Sequence, residues 1–184
     1  MARELARELL EQPLPRRWAH TQGVAEQARS LNEVLGDEAE LLEAAAWLHD
    51  IGYSPTLHEY SADLRLTGFH PLDGARYLRL INADEGLCSI VAYHSGATVE
   101  AEERGLYEEL DEAFDPPPAH LLEAITYADM TTGPDGTHLP VERRLSEILE
   151  RYKPGDIVHR SITRSSPELT AAVRAVEKRL AEVG

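Results

Sequence analysis

Ala44-Ala45-Ala46-Trp47-Leu48-His49-Asp50-Ile51-Gly52 is the stretch from which the fold is read. Its apolar residues form a helical segment, and that helix ends in an imidazole beside a carboxylate. Both groups are costly to bury, and buried charge is normally paired or bound to a metal. A small helical protein gains little from placing the two there unless a cation lies between them.

Apolar spacing stays helical in both directions from this point. Upstream, residues 2–12 read as a short helix that stops at Pro13 and Pro15. Residues 16–35 read as a second helix closed by Gly36, and Asp37 is positioned to cap a third that runs to about Asp50. Downstream, Gly52 and Pro55 exclude easy continuation, so residues 53–69 are expected to form a loop or short helical turns. Pro71 suits the first turn of a helix through Leu80, and residues 86–94 form another, ended by Ser95-Gly96. The acidic residues 100–115 read as one further surface helix before the stiff break Asp115-Pro116-Pro117-Pro118. Residues 119–130 are helical, Gly133-Pro134-Asp135-Gly136 is a turn, and the last helices span 139–152 and 167–183. Neither an internal repeat nor an alternating strand pattern is present. The expected fold is all-α, a single domain over residues 1–184.

Composition limits the function. The chain has 184 residues, 42% hydrophobic and 28% charged, which fits one folded domain with a core that needs no staples. A single cysteine, Cys88, forms no internal disulfide and is expected to pack beside Leu87 and Val91. A net charge of -15 makes nucleic-acid polymers and anionic membranes poor partners. No apolar run reaches membrane-spanning length, and residues 1–8 read as an amphipathic helix, not a signal peptide. The expected location is cytoplasmic. A homodimer is compatible with the sequence.

Six polar residues share one habit. His20, His49, Asp50, His94 and Asp129 each extend an apolar stripe at helical spacing, as His94 does after Leu87 and Ile90. His70 stands just before Pro71, at the start of a helix. Taken singly, each histidine reads as a hydrogen-bonded core residue, and Asp50 or Asp129 as a cap. Taken together they leave several buried polar groups to satisfy, and coordination satisfies them at once. Helical bundles build metal sites from facing helices. Imidazole and carboxylate suit Fe, Mn, Zn, Co or Ni, and the absence of thiolate argues against a structural zinc knot. Two ions about 3.5–4 Å apart need roughly this many ligands. Two dications against two aspartates would make a locally positive centre that attracts phosphate.

The order His20, His49-Asp50, Asp129 resembles the HD superfamily of metal-dependent phosphohydrolases. The surrounding words carry the resemblance too: Trp18-Ala19-His20-Thr21, Leu48-His49-Asp50-Ile51-Gly52, Phe69-His70-Pro71, Tyr93-His94-Ser95-Gly96 and Tyr127-Ala128-Asp129-Met130. With His70 and His94 the pattern is similar to the dinuclear, six-ligand branch. Tyr53 follows the His-Asp-Ile-Gly run with no lysine nearby, which argues against the cyclic-dinucleotide phosphodiesterase branch. The resemblance covers about residues 16–135 and implies an HD-domain helical bundle, with the helices of 139–183 as a C-terminal extension. It also implies that His20, His49, Asp50 and Asp129 hold one ion, and that His70 and His94 complete a second site bridged by Asp50.

The implied activity is hydrolysis of a nucleotide or other small phosphate ester by a metal-activated hydroxide, with Asp50 and His49 at the catalytic centre. The cofactors would be two divalent ions, iron or manganese first, with zinc, cobalt, nickel or magnesium also compatible. A dinuclear-iron oxygenase and a non-catalytic metal or nucleotide sensor are the two competing classes. Arg144 borders the stripe of Val141, Leu145 and Ile148 and is a candidate phosphate ligand, or else an ion-pair partner of Glu147 or Glu142; Arg143 points away. Tyr53 and His58 lie in the loop after the His-Asp pair, where Tyr53 could touch substrate and His58 could act as general acid. His120, His138 and His159 have no partner pattern and read as solvent-facing.

Overall fold

In the computed structural model, which describes residues 1–183, the first helix α1 (Ala2–Leu10) buries Ala6, Leu9 and Leu10. Pro15 then opens α2 (Pro15–Arg29), at a position where a backbone N–H would have no helical acceptor. The helix expected over 16–35 breaks. The Ser30 hydroxyl donates to the Gln27 carbonyl at 2.6 Å, and a separate turn, α3 (Asn32–Leu35), follows. Gly36 closes it at φ +55°. Asp37 does not cap the next helix. It lies in a 3-10 turn, and α4 (Ala39–Leu48) starts after Glu38 without a side-chain cap.

Short turns replace regular structure after α4, as expected: a 3-10 turn over Pro55–Tyr60 and then α5 (Ser61–Leu64). Next come α6 (His70–Leu80) and α7 (Glu85–Tyr93), the latter capped by the Asp84 carboxylate, which accepts from the Leu87 N–H at 3.1 Å. The acidic stretch is two helices, α8 (Ala97–Arg104) and α9 (Tyr107–Ala113), parted by Gly105 at φ +69°. After the prolines come α10 (Ala119–Met130) and α11 (Val141–Arg151).

The last helix, α12 (Ile157–Val183), begins ten residues before the expected start at Pro167 and runs through that proline. The hydroxyls of Ser161, Thr163, Ser165 and Ser166 donate to carbonyls four residues upstream. Such back-bonding bends helices, and a bent helix relieves the clash between a proline ring and the preceding turn.

Among the described residues the structure contains no strand, only an isolated antiparallel bridge between Thr132 and His138. The core lies where α2, α4 and α10 pack on one another, with α7 on α4 and α6 on α7. Trp18 of α2 and Trp47 of α4 meet with ring centroids 5.6 Å apart. Cys88 is fully buried in this core. The C-terminal helices lie against it: α12 packs on α10, α8 and α11 and buries Leu169, Val173 and Val176. Among the described residues no helix is long and apolar enough to cross a membrane.

Candidate metal centre

The end of α4 turns sharply, and that turn is where the polar groups gather. His49 has helical dihedrals, and Asp50 leaves the helix at φ -102°, ψ 4°. Gly52 then lets α6 approach. A Cβ there would lie 1.9 Å from the carbonyl oxygen of His70, so any side chain would push α6 away. The Asp73 carboxylate fixes the chain just before His70, accepting from the backbone N–H groups of Thr67 and Gly68 and from the Thr67 hydroxyl. On the opposite side, α2 touches the glycine turn. A Cβ on Gly23 would be 2.3 Å from the Gly136 carbonyl oxygen. That contact brings the Gly133 carbonyl within 3.0 Å of His20 Nδ1.

All six expected ligands converge. His20, His49 and Asp129 form one group and Asp50, His70 and His94 another, each with donor atoms within 4.8 Å of one another. Asp50 stands between them. Its Oδ2 is 3.4 Å from His49 Nε2 and 4.0 Å from His20 Nε2, while its Oδ1 is 3.4 Å from His70 Nε2. His20 Nε2 lies 3.1 Å from Asp129 Oδ1, and the Nε2 atoms of His70 and His94 are 3.3 Å apart.

The backbone sets the tautomers. A carbonyl can only accept, so each Nδ1 that faces one must carry a proton. His20 Nδ1 donates to Gly133, His49 Nδ1 to Ala46 at 2.8 Å, and His94 Nδ1 to Val91 at 2.7 Å. The neutral forms of these rings therefore turn bare Nε2 lone pairs toward the carboxylates. Lone pair against carboxylate is repulsive unless a proton or a metal ion lies between them. For His49 the proton is disfavoured, because burial pushes its pKa down in spite of Asp50 and Asp129. Its Nε2 is buried with no hydrogen-bond partner. This orphaned nitrogen, facing a carboxylate, is what a divalent cation would satisfy, and the nitrogen and oxygen donor set fits one.

The carboxylates are held ionised. Burial alone would raise the Asp50 pKa, but the charges around it, Arg17 foremost, hold it well below the ordinary range. Burial opposes ionisation of Asp129 too, and the contact with His20, aided by His49 and Arg144, outweighs it. Burial also keeps His70 neutral, overriding the pull of Asp50.

A protein-family model described as HD domain matches residues 17–132, more than half of the chain. The chain belongs to the HD domain family. No curated protein and no solved structure matches it significantly.

Around this HD domain centre the remaining candidates divide. Tyr53 lines the cavity over the donor groups and stacks on His70 with centroids 3.9 Å apart. Arg144 is buried, lines the same cavity, and pairs with Glu147 at 2.6 Å. Arg143 is exposed. The general-acid reading of His58 has no geometric support. The turn that buries Leu57 leaves His58 exposed and outside the cavity lining. His138 is exposed; His120 is exposed too but pairs with Glu38 at 2.7 Å, and His159 is half-buried near Thr163.

Two arginines escaped the sequence reading. Arg17 donates to Asp50 Oδ2 at 2.5 Å, and its guanidinium carbon lies 3.5 Å from the centre of the Tyr53 ring. It stands three residues before His20, on the same helical face, which was the available signal. Arg151, seven residues after Arg144, returns to the same face of α11 and lines the same cavity.

Proposed function

We propose that this HD domain hydrolyses a small phosphorylated compound, a nucleotide or other phosphate ester, with two divalent ions. The observation that carries this reading is the Asp50 carboxylate, with one oxygen toward His20 and His49 and the other toward His70. A bridging ligand presents its two oxygens in this way. His20, His49 and Asp129 would hold one ion, His70 and His94 the other, and Asp50 both. Divalent ions there supply positive charge against phosphoryl oxygens and make hydroxide available from water near neutral pH.

The chain itself does the positioning. The carbonyls of Gly133, Ala46 and Val91 fix three imidazoles in the ligand tautomer before any ion arrives, which lowers the reorganisation needed to bind one. The Tyr53 ring lies against His70 and restricts its rotation. Arg144 presents a buried guanidinium at the cavity wall, suited to a phosphoryl oxygen that the carboxylates would otherwise repel.

The test begins with elemental analysis of anaerobically purified protein, followed by a panel of nucleotides and phosphate esters assayed for released phosphate. Hydrolysis without oxygen, lost together with bound metal in Asp50→Ala, is the expected result. Full turnover by Asp50→Ala would defeat the mechanism. Oxygen uptake by the iron-loaded protein with no phosphate release would favour the oxygenase class. Tight nucleotide binding with no product over hours would favour a sensor.

A further inference from the structure

A second cavity, of about 400 Å³, adjoins the one over the donor groups and shares His20, Arg17, Arg144 and Arg151 with it. Its remaining walls are Arg16, Pro134 and the Pro13-Leu14-Pro15 segment. Four of its nine lining residues are arginine and none is acidic, in a chain that carries 33 acidic residues against 18 lysines and arginines. Such a local excess of cations opposes the composition of the chain and calls for an anion.

Two further features point the same way. Arg144 is only 8% exposed, and its Nε is buried with no hydrogen-bond partner. A buried guanidinium N–H left unmade is costly, and this same guanidinium lines both cavities. The first turn of α2 also reaches this groove. Leu14, its N-cap, offers no side-chain acceptor, so the N–H groups of Arg16 and Arg17 have no partner within the helix. Uncapped helix N-termini favour anions. Glu147 holds Arg144 and Arg151 by ion pairs and offsets part of their charge, but it is not a wall of the groove. Arg16 is exposed, and its charge also reaches Asp135 of the glycine turn.

We infer that this groove is a second anion subsite, and that the substrate carries another phosphoryl or comparable anionic group beyond the phosphorus that is attacked. The inference rests on the phosphohydrolase reading for which end of the substrate reacts, though the groove's affinity for anions does not. Arg144 and Arg151 lie at the junction of the two cavities, and Arg16, which lines only the groove, joins Arg151 in engaging the distal anion. Selectivity for a phosphoanhydride over a simple monoester then comes from the groove and not from the ions.

Two measurements test this on the full chain. In the first, inorganic pyrophosphate and orthophosphate are titrated calorimetrically into metal-free protein, wild type and the variants Arg16→Ala and Arg151→Gln. Both substitutions fall on exposed side chains, and circular dichroism checks that folding is retained. Pyrophosphate is expected to bind at least tenfold tighter than orthophosphate, and each variant to reduce that preference severalfold. In the second, the metal-loaded protein is assayed on an alkyl diphosphate and on p-nitrophenyl phosphate. The ratio of kcat/KM for the two is expected to fall at least tenfold in the double variant. Equal binding of the two anions, or a preference that both variants leave intact, overturns the subsite. If no phosphate compound is turned over but the arginine-dependent preference for pyrophosphate persists, the hydrolase reading fails and the subsite stands. If monoesters are hydrolysed while pyrophosphate binding ignores the arginines, the reverse holds.

Discussion

Arg17→Met should destabilise the metal-free protein strongly and the metal-loaded protein only weakly. Asp50 is 5% exposed at its side chain, and Arg17 meets its Oδ2 at 2.5 Å with 28% of its own side chain exposed. The other close neighbours of Asp50 are imidazoles, of which burial keeps His49 and His70 neutral. Arg17 is thus the one permanent positive charge touching this buried carboxylate among the described residues. Removing one partner of a buried pair costs about 3–5 kcal/mol, because the other charge stays buried alone. Methionine keeps most of the packing volume, so the loss is chiefly electrostatic. For a chain of this size about 2–4 °C accompanies each kcal/mol, which places the fall in Tm at roughly 6–20 °C. A divalent ion on Asp50 would supply the missing charge and reduce the loss to about 1 kcal/mol, the scale of a lost partly exposed contact. By linkage, the ion must then stabilise the variant more than the wild type, by about 2–4 kcal/mol. The assay is thermal or urea unfolding of both proteins, chelated and with saturating manganese. Equal destabilisation with and without metal would refute the reasoning, since it would mean that no cation reaches Asp50.

Gly52→Ala puts a methyl group 1.9 Å from the His70 carbonyl and must displace α6. Overpacking of this kind costs about 1–3 kcal/mol, and elemental analysis should show a loss of bound metal as His70 moves out of register. Metal-free protein should lose stability as pH falls. Burial depresses the His49 and His70 pKa values, so below about 6.5 the unfolded chain binds more protons than the folded one, at about 1.4 kcal/mol per pH unit for each ring. The depressed pKa values of Asp50 and Asp129 extend the loss below about pH 4. The unfolding free energy from urea titrations should therefore be smaller at pH 5.5 than at pH 8, and a flat profile would contradict neutral buried imidazoles. His58→Ala should leave kcat within about twofold, as befits an exposed residue away from the cavity.

Helical periodicity was enough for the elements that frame the centre, because α4, α7 and α10 each bury one stripe and carry a candidate ligand at its end. Breaks inside helices were less legible. The interruption at Ser30 comes where a hydroxyl bonds a nearby carbonyl, and α12 runs through Pro167 beside four hydroxyls that bond carbonyls one turn upstream. Neither leaves a periodic trace. The six buried polar residues could be singled out because burial of a polar group needs a reason, and the structure brings them together. Arg17 could not be singled out on that ground, since a partly exposed arginine near a helix start is unremarkable until Asp50 is seen across from it. His58 misled for the converse reason, since proximity in sequence to Asp50 says nothing about which way a 3-10 turn faces.

The chain is strongly acidic, yet the groove beside its centre is lined by four arginines and no acid, and the fold explains how both coexist. Most acidic residues lie on exposed positions of the helices, where each is solvated and separated from the centre by the apolar core. Screening limits their reach to about 8 Å at physiological salt. The cavity, by contrast, takes its arginines from only two places, the start of α2 and one face of α11. Those two elements come together because the Gly133–Gly136 turn returns the chain from α10 past α2, with Gly23 and Gly136 in close contact, before α11 begins. The same turn supplies the carbonyl that fixes His20. A single structural feature therefore sets the tautomer of one candidate ligand and delivers Arg144 to the cavity wall. Widening the contact between Gly23 and Gly136 would disturb the donor group and the arginine wall together.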